Sequence, residues 1–386
     1  MNILTELKKV ANNTRNWKDI NKTIPVGSPS TKPLAIAKKA HDLFFFCNYN
    51  NIGLPCIESK NKGTRLLEKL LLKEIISKTE LKGLDGYITS GGTEGNMMGL
   101  WLARELFENK DDILVVKTEL THYSVEKSCR ILLLRNVINI QLNEEYSMDL
   151  DKLGDLIKNT KMKNVIILVT LGYTTTGTED DLEKIVSIIK KSKNKNYYIH
   201  IDAALGGFPL IITKKNKFLL SARKYVMSIS IDGHKMGFMP YPGSIFLFNK
   251  NLINIISKQI SYLGRNDATI IGSRTGVSAA MMYATWKKIG IKGYRRKFEK
   301  AERNKKYFIK KIGKKAKIIA KTNIPLLALE FEKPLKKNIE DKYGLVQSDI
   351  PKTINTPQKK AYKIYFMPTT SKKVLHELIR DIGGIR

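Results

Sequence analysis

Five strand-like runs recur through the middle of the chain, Ile113–Val116, Val165–Leu171, Tyr197–Ile201, Val226–Ile231 and Ser244–Phe248, with helix-length stretches such as Glu179–Lys191 between some of them. An apolar strand, a crossover helix and another apolar strand form the unit that aligns strands in parallel and covers a sheet with helices. The pattern therefore predicts an α/β fold with a mostly parallel central sheet. After Trp286 it changes to a very basic helical stretch and two further strand-like runs, Ile324–Phe331 and Tyr362–Phe366, which read as a small C-terminal α+β domain. The expected division is an N-terminal arm over residues 1–55, a large α/β domain over 56–285 and the small domain over 286–386. With 386 residues, 42% of them hydrophobic, the chain can bury such a core and is not compositionally disordered. No internal repeat stands out.

In an open α/β sheet, ligands bind beyond the carboxyl ends of the strands. Asp202 closes the run Tyr198-Ile199-His200-Ile201-Asp202-Ala203-Ala204, and Lys235 follows the next run in Gly233-His234-Lys235. A lysine amine can form a Schiff base with an aldehyde cofactor, and a carboxylate at the end of a buried strand can keep a pyridine nitrogen protonated. Read singly, each is equally an ordinary surface residue.

Their company is more specific. Tyr87-Ile88-Thr89-Ser90-Gly91-Gly92-Thr93-Glu94-Gly95-Asn96 runs from an extended start through a Gly-rich turn into a helix. Free N–H groups and the positive end of the helix dipole suit a phosphate there, with the Thr93 hydroxyl as a further donor. No Gly-Lys-Ser/Thr follows, so this is not a nucleotide P-loop. His122, in Thr121-His122-Tyr123-Ser124, falls just beyond a strand, where an imidazole can lie flat over a planar ring. Alone, the turn also reads as a capped tight turn and His122 as a capped or surface histidine.

Taken in order, these segments, with Asn50-Asn51-Ile52-Gly53, His200–Gly207, Gly233-His234-Lys235-Met236 and Gly272-Ser273-Arg274-Thr275-Gly276, resemble a group II pyridoxal-phosphate decarboxylase from about Asn50 to Trp286. The overall pattern is most similar to the histidine and then the serine decarboxylases. The resemblance implies pyridoxal-phosphate fold type I, the aspartate-aminotransferase-like architecture, and pyridoxal 5'-phosphate as cofactor. It implies that Lys235 carries the cofactor, that Asp202 pairs with the pyridine nitrogen, and that His122 stacks on the ring opposite Ala204. Gly92, Thr93 and His234 would lie near the phosphate. Ser273 and Arg274 would belong to a segment near the site entrance, which the family builds across a dimer interface.

Two positions depart from the histidine and serine pattern. Asp232 stands where those branches have a small neutral residue, and a carboxylate near a phosphate dianion is unfavourable unless protonated, turned away or paired. The archaeal-type tyrosine and aspartate decarboxylases are similar at this point, so Asp232 marks a substrate branch as readily as a defect. Tyr173, followed by Thr174, stands where the family has Thr after Gly172, and is expected to crowd the cofactor or reshape the substrate pocket. The expected activity is decarboxylation of an L-amino acid, histidine to histamine and carbon dioxide first. Serine, aspartate or an aromatic amino acid is the alternative, and a weakened pyridoxal-phosphate protein that binds a polyanion is the reading from a different class.

No apolar run reaches the roughly 18 residues of a membrane span, and Met1–Lys9 lacks the pattern of a secretory leader, so a cytoplasmic protein is expected. Cys47, Cys56 and Cys129 have no C-x-x-C arrangement and read as reduced thiols; no metal site is expected. The formal net charge of +32 is spread over short basic pairs such as Lys190-Lys191, Lys214-Lys215 and Lys310-Lys311. A solvated face explains this better than specific nucleic-acid recognition, which has no motif in support. A homodimer is expected from the resemblance, with Trp17 and Leu43–Phe46 offering apolar contact surface.

Overall fold

The computed structural model describes residues 3–9, 26–29, 31–55, 63–79, 81, 83–192, 194–213, 223–261 and 265–383; Trp17, Cys56 and Lys214-Lys215 lie outside the described residues. Seven strands form the central sheet: β1 (Leu84–Thr89), β2 (Ile113–Thr118), β3 (Asn136–Ile140), β4 (Asn164–Thr170), β5 (Asn196–Asp202), β6 (Val226–Asp232) and β7 (Ser244–Asn249), in the order β1-β7-β6-β5-β4-β2-β3. β7 runs antiparallel to both of its neighbours, and the other pairings are parallel. β2 and β4 are buried at every residue, as strands covered on both faces must be. The five expected strands are present with shifts of one or two residues. β3 escaped notice because it is a half-exposed edge strand in which two asparagines break the apolar run.

Helices α1 (Ala35–Phe44), α2 (Gly63–Thr79), α3 (Gly92–Leu106), α4 (Tyr123–Ile131), α5 (Leu150–Asn159) and α6 (Leu182–Lys191) accompany the sheet. Side-chain caps set several of their starts. Asp181 accepts from the Lys184 N–H at 3.0 Å, which is why the expected helix over Glu179–Lys191 begins only at Leu182. Cys129 is buried in α4, and burial pushes its thiol up to about 11.

A long helix, α7 (Gly276–Ile312), is interrupted at Gly290, whose φ of 60° is left-handed, and leads out of the large sheet. Strands β8 (Lys258–Ile260) and β9 (Arg265–Asp267) pair by themselves. A second sheet of β10 (Lys317–Ile318), β11 (Leu326–Glu330), β12 (Gln347–Ile350) and β13 (Lys359–Tyr365) is antiparallel in the order β10-β11-β13-β12, and its β11 and β13 are the two strands expected there. It packs on the large sheet's loops through a buried cluster of Leu120, Leu142, Tyr146 and Tyr173 with Ala320, Ala328, Ile350 and Ala361.

The strand register decides what meets at the sheet's carboxyl edge. Thr170 lies opposite Asp202, and Asp202 opposite Ser230. Ser244, the first residue of β7, lies opposite both Asp232 and Thr89. The Gly-rich turn after β1 is thereby brought beside the end of β6.

Candidate active site

A cavity of about 170 Å³ opens at this edge, lined by residues of five strand ends that include Gly92, His122, Gly172, Asp202, Asp232 and Lys235. Thr93, Thr174, Ala204 and His234 also line it. Nine of the twelve residues expected at the site therefore meet around one space.

Asp202 is buried at the end of β5. Its Oδ2 accepts from Asn96 Nδ2 at 2.8 Å and its Oδ1 from the Ala204 N–H at 3.0 Å. Both partners are neutral, so neither is a counter-ion to the carboxylate. His122 caps α4, with Nδ1 2.8 Å from Ser124 Oγ and 3.3 Å from the Ser124 nitrogen. The backbone N–H can only donate, which places the imidazole proton on Nε2. Burial lowers the His122 pKa, against the charge of Asp202, so the ring is neutral near pH 7.

Lys235 projects from the loop after β6. Its Nζ lies 2.8 Å from Asp232 Oδ2, and Asp232 Oδ1 accepts from the Ser244 hydroxyl. His234 is buried and stacks on the exposed Tyr241 ring at 4.0 Å. Beside Asp232, α3 begins at Gly92, and its first N–H groups have no intrahelical acceptor. Glu94 is folded back onto the Ser90 N–H at 2.7 Å and the Tyr87 hydroxyl at 3.1 Å. A Cβ at Gly92 would come within 2.9 Å of Asp232 Oδ1, so only glycine leaves this end of the cavity open.

Three expected residues lie elsewhere. Tyr173 does not line the cavity, although Gly172 and Thr174 on either side do. Its ring turns into the cluster against the small sheet, where its hydroxyl donates to Asp180 at 2.8 Å and accepts from Thr118 Oγ1 at 2.9 Å. A buried phenol needs such partners, and they are found there and not beside the cavity. Arg274 is likewise buried: Nη1 pairs with Glu68 at 2.6 Å and donates to the Ile88 carbonyl, and Nη2 donates to the Gly53 carbonyl. This guanidinium braces the chain internally and is not free to meet a substrate. Ser273 is exposed and accepts from Asn50 Nδ2 at 2.9 Å. Both residues border a separate cavity of about 190 Å³ that shares Ser90 and Glu94 of the Gly-rich turn.

Sequence reasoning gave no role to Asn96, and none to His200 beyond its place among the candidate segments. Asn96 stands four residues after Gly92, one turn along the same helix face. His200 stands two before Asp202, on the same face of β5. Those spacings are the signals that could have found them.

The fold and these strand-end groups define an enzyme of the aldehyde-cofactor class. The pyridoxal-dependent decarboxylase conserved domain matches residues 67–332. A probable L-tyrosine/L-aspartate decarboxylase of Methanosphaera stadtmanae is 31% identical over 378 residues, covering 93% of this chain and 91% of that protein. A histidine decarboxylase of Vibrio anguillarum is 37% identical over 207 residues, 52% of each chain. The crystal structure of L-methionine decarboxylase from Streptomyces sp.590 superposes with a TM-score of 0.82 at 18% identity, covering 98% of this chain and 94% of that one. The chain belongs to the pyridoxal-dependent decarboxylase family. It is a fold type I carboxy-lyase acting on amino acids, with pyridoxal phosphate as its cofactor.

The site fits that cofactor. An amine and a carboxylate with neutral partners face one cavity, and one end of it is a glycine-opened helix N-terminus with the Thr93 hydroxyl beside it. Among the described residues no helix is long and apolar enough to cross a membrane.

Proposed function

We propose that this protein decarboxylates a ring-bearing L-amino acid, with histidine the first substrate to test and tyrosine next. The observation that carries the reading is the convergence of Lys235, Asp202 and His122 on one cavity at the carboxyl edge of the sheet. When bound, pyridoxal phosphate supplies an aldehyde for the substrate amine and a pyridine ring that takes up the electron pair left by the departing carboxyl group.

In this reading Lys235 anchors the cofactor, and Asp202, oriented by the Asn96 hydrogen bond, holds a proton on the ring nitrogen. His122 lies against one ring face and Ala204 against the other. Gly92, Thr93 and His234 receive the phosphate. Leu120, Thr174 and Leu205 line the remaining wall and meet the substrate side chain. The high local identity to a histidine decarboxylase supports histidine; the whole-length similarity to a tyrosine/aspartate decarboxylase supports tyrosine and keeps aspartate in the panel. Tyr173, the local argument for a weakened, polyanion-binding descendant, does not touch the cavity, which leaves that reading with the surface charge alone.

We further propose a cytoplasmic homodimer with its sites at the subunit boundary and the arm, large-domain and small-domain division given above; α7 runs across the second of those boundaries. Leu43 and Phe46 are 73% and 88% exposed, and the exposed Ser273 lies close by through Asn50, which supports a covered face there. The test is a panel of histidine, tyrosine, tryptophan, aspartate and serine assayed for carbon dioxide and amine, with borohydride fixation to locate the cofactor. Turnover of histidine or another ring-bearing substrate, with the label on Lys235, is expected. Turnover of serine or aspartate alone overturns the substrate, and a fully active monomer in sedimentation overturns the assembly.

A further inference from the structure

We propose that Asp232 is the resting partner of Lys235 and takes up its proton when the cofactor is captured, so that this one carboxylate governs how readily the protein loads. The inference rests on Lys235 being the cofactor lysine.

Asp232 ends β6 three residues ahead of Lys235 and is 2% exposed. Its Oδ2 is 2.8 Å from Lys235 Nζ and 3.6 Å from His234 Nε2, while Oδ1 is held by the Ser244 hydroxyl. The other carboxylate lining the cavity, Asp202, is occupied by Asn96 and the Ala204 N–H. The lysine is therefore parked at the Asp232 side of the site. Asp232 also stands against the first residue of α3, since a Cβ at Gly92 would meet both of its oxygens, at 2.9 and 3.2 Å. A helix N-terminus attracts one anion as readily as another. The carboxylate thus occupies the end of the site that a phosphate dianion would use, and the two repel if both are charged.

Proton transfer to Asp232 resolves both conflicts at once. Before its nitrogen can bond to an aldehyde carbon, the Lys235 ammonium must lose one proton, and Asp232 Oδ2 is at hydrogen-bond distance to receive it. The nitrogen lone pair then forms the carbon–nitrogen bond, and the two hydrogens left on nitrogen depart with the aldehyde oxygen as water. The proton on Asp232 is the one left over. A proton held there would remove the repulsion between the carboxylate and a phosphate placed beside it.

The other charged groups facing Lys235 favour its ammonium as Asp232 does. Burial, the largest influence, disfavours the ammonium, yet the charge and hydrogen bond of Asp232, with Asp202 and Tyr241, carry its pKa above the ordinary lysine value. His122, ahead of α4, and His234, beside Lys235, are both lowered by burial and add no fixed charge near pH 7.

The experiment follows cofactor capture by cofactor-free protein through the growth of visible absorbance, over a pH series, with pyridoxal phosphate and with pyridoxal. Asp232→Asn should move the midpoint of capture to lower pH by about one unit or more, and should raise the preference for the phosphorylated compound. An unchanged midpoint and an unchanged preference in folded Asp232→Asn would overturn the proposal. Should that variant not fold, pH-dependent amine labelling of the wild type, read by peptide mass, serves instead. Lys235 half-labelled at higher pH than the exposed lysines supports the pairing, and half-labelling at or below their pH refutes it. Borohydride fixation separates the two layers: label on another lysine defeats the assignment of Lys235, whereas label on Lys235 with an unaltered profile defeats only Asp232.

Discussion

Asn96 links Asp202 to His200: its Nδ2 donates to Asp202 Oδ2 at 2.8 Å, and its carboxamide oxygen lies 3.0 Å from His200 Nε2. Behind it, His200 Nδ1 is 2.8 Å from Ser228 Oγ, which accepts from the Tyr198 hydroxyl at 2.8 Å. Burial pushes His200 down to about 4. The neutral ring donates from Nε2 and accepts at Nδ1, so every donor in the row points toward the carboxylate, and each bond polarises the next.

Asn96→Leu should therefore weaken cofactor binding without moving Lys235. A hydrogen bond to a charged group contributes roughly 1.5–3 kcal/mol, so the expected loss is about tenfold or more in cofactor affinity. Absorbance titration of the cofactor-free variant measures it; wild-type affinity would show that Asp202 does not depend on Asn96.

Gly92→Ala should also impair loading, for a different reason. The new methyl group would sit 2.9 Å from Asp232 Oδ1, on a carboxylate that Lys235 and Ser244 hold in place. We expect a folded protein with near-normal thermal stability and poor cofactor retention after gel filtration. Full retention would mean that the Asp232 side chain yields.

Tyr173→Phe separates packing from specificity. Loss of the hydroxyl removes a donor from buried Asp180 and an acceptor from Thr118, at a cost of about 1–3 kcal/mol of stability. Since the ring does not line the cavity, the order of preference in a substrate panel should be unchanged. A reordered panel would restore Tyr173 to the pocket.

Asp180 gives a pH signature. Burial, opposed by hydrogen bonds from the Thr170 and Met148 backbone and Tyr173, raises its pKa from 3.8 to about 6. A carboxyl raised on folding contributes stability that is fully present below the unfolded value and is lost as pH rises through the folded one. The window runs from 3.8 to about 6, and the contribution is on the order of 3 kcal/mol. Denaturant midpoints of the wild type relative to Asp180→Asn should therefore fall as pH rises through that window. A constant difference would place the folded and unfolded values together.

Arg274→Met should act on the fold before the chemistry. It strands buried Glu68, and breaking one side of a buried pair typically costs about 3–5 kcal/mol. Calorimetry should show a large drop in melting temperature, while Ser273→Ala, at an exposed position, should leave it nearly unchanged.

The sequence alone determined the α/β class, the cofactor chemistry and most of the groups that converge on it. These are local properties: apolar runs of strand length, a Gly-rich turn into a helix, and polar residues just past strand ends. Where side chains point was not legible in the same way. Tyr173 sits between two cavity-lining neighbours yet turns away, because its hydroxyl finds Asp180 and Thr118 only once the small sheet has packed over that loop. Arg274 follows exposed Ser273 yet is buried, because Glu68 and two carbonyls from distant segments surround it. The tertiary structure also decided the meaning of Asp232. β7 inserts antiparallel between β1 and β6, so that Ser244 faces Thr89 on one side and Asp232 on the other. That register brings the start of α3 against the carboxylate and leaves it bonded to Lys235. Strand order is a long-range choice made by packing, and no local stretch of residues encodes it.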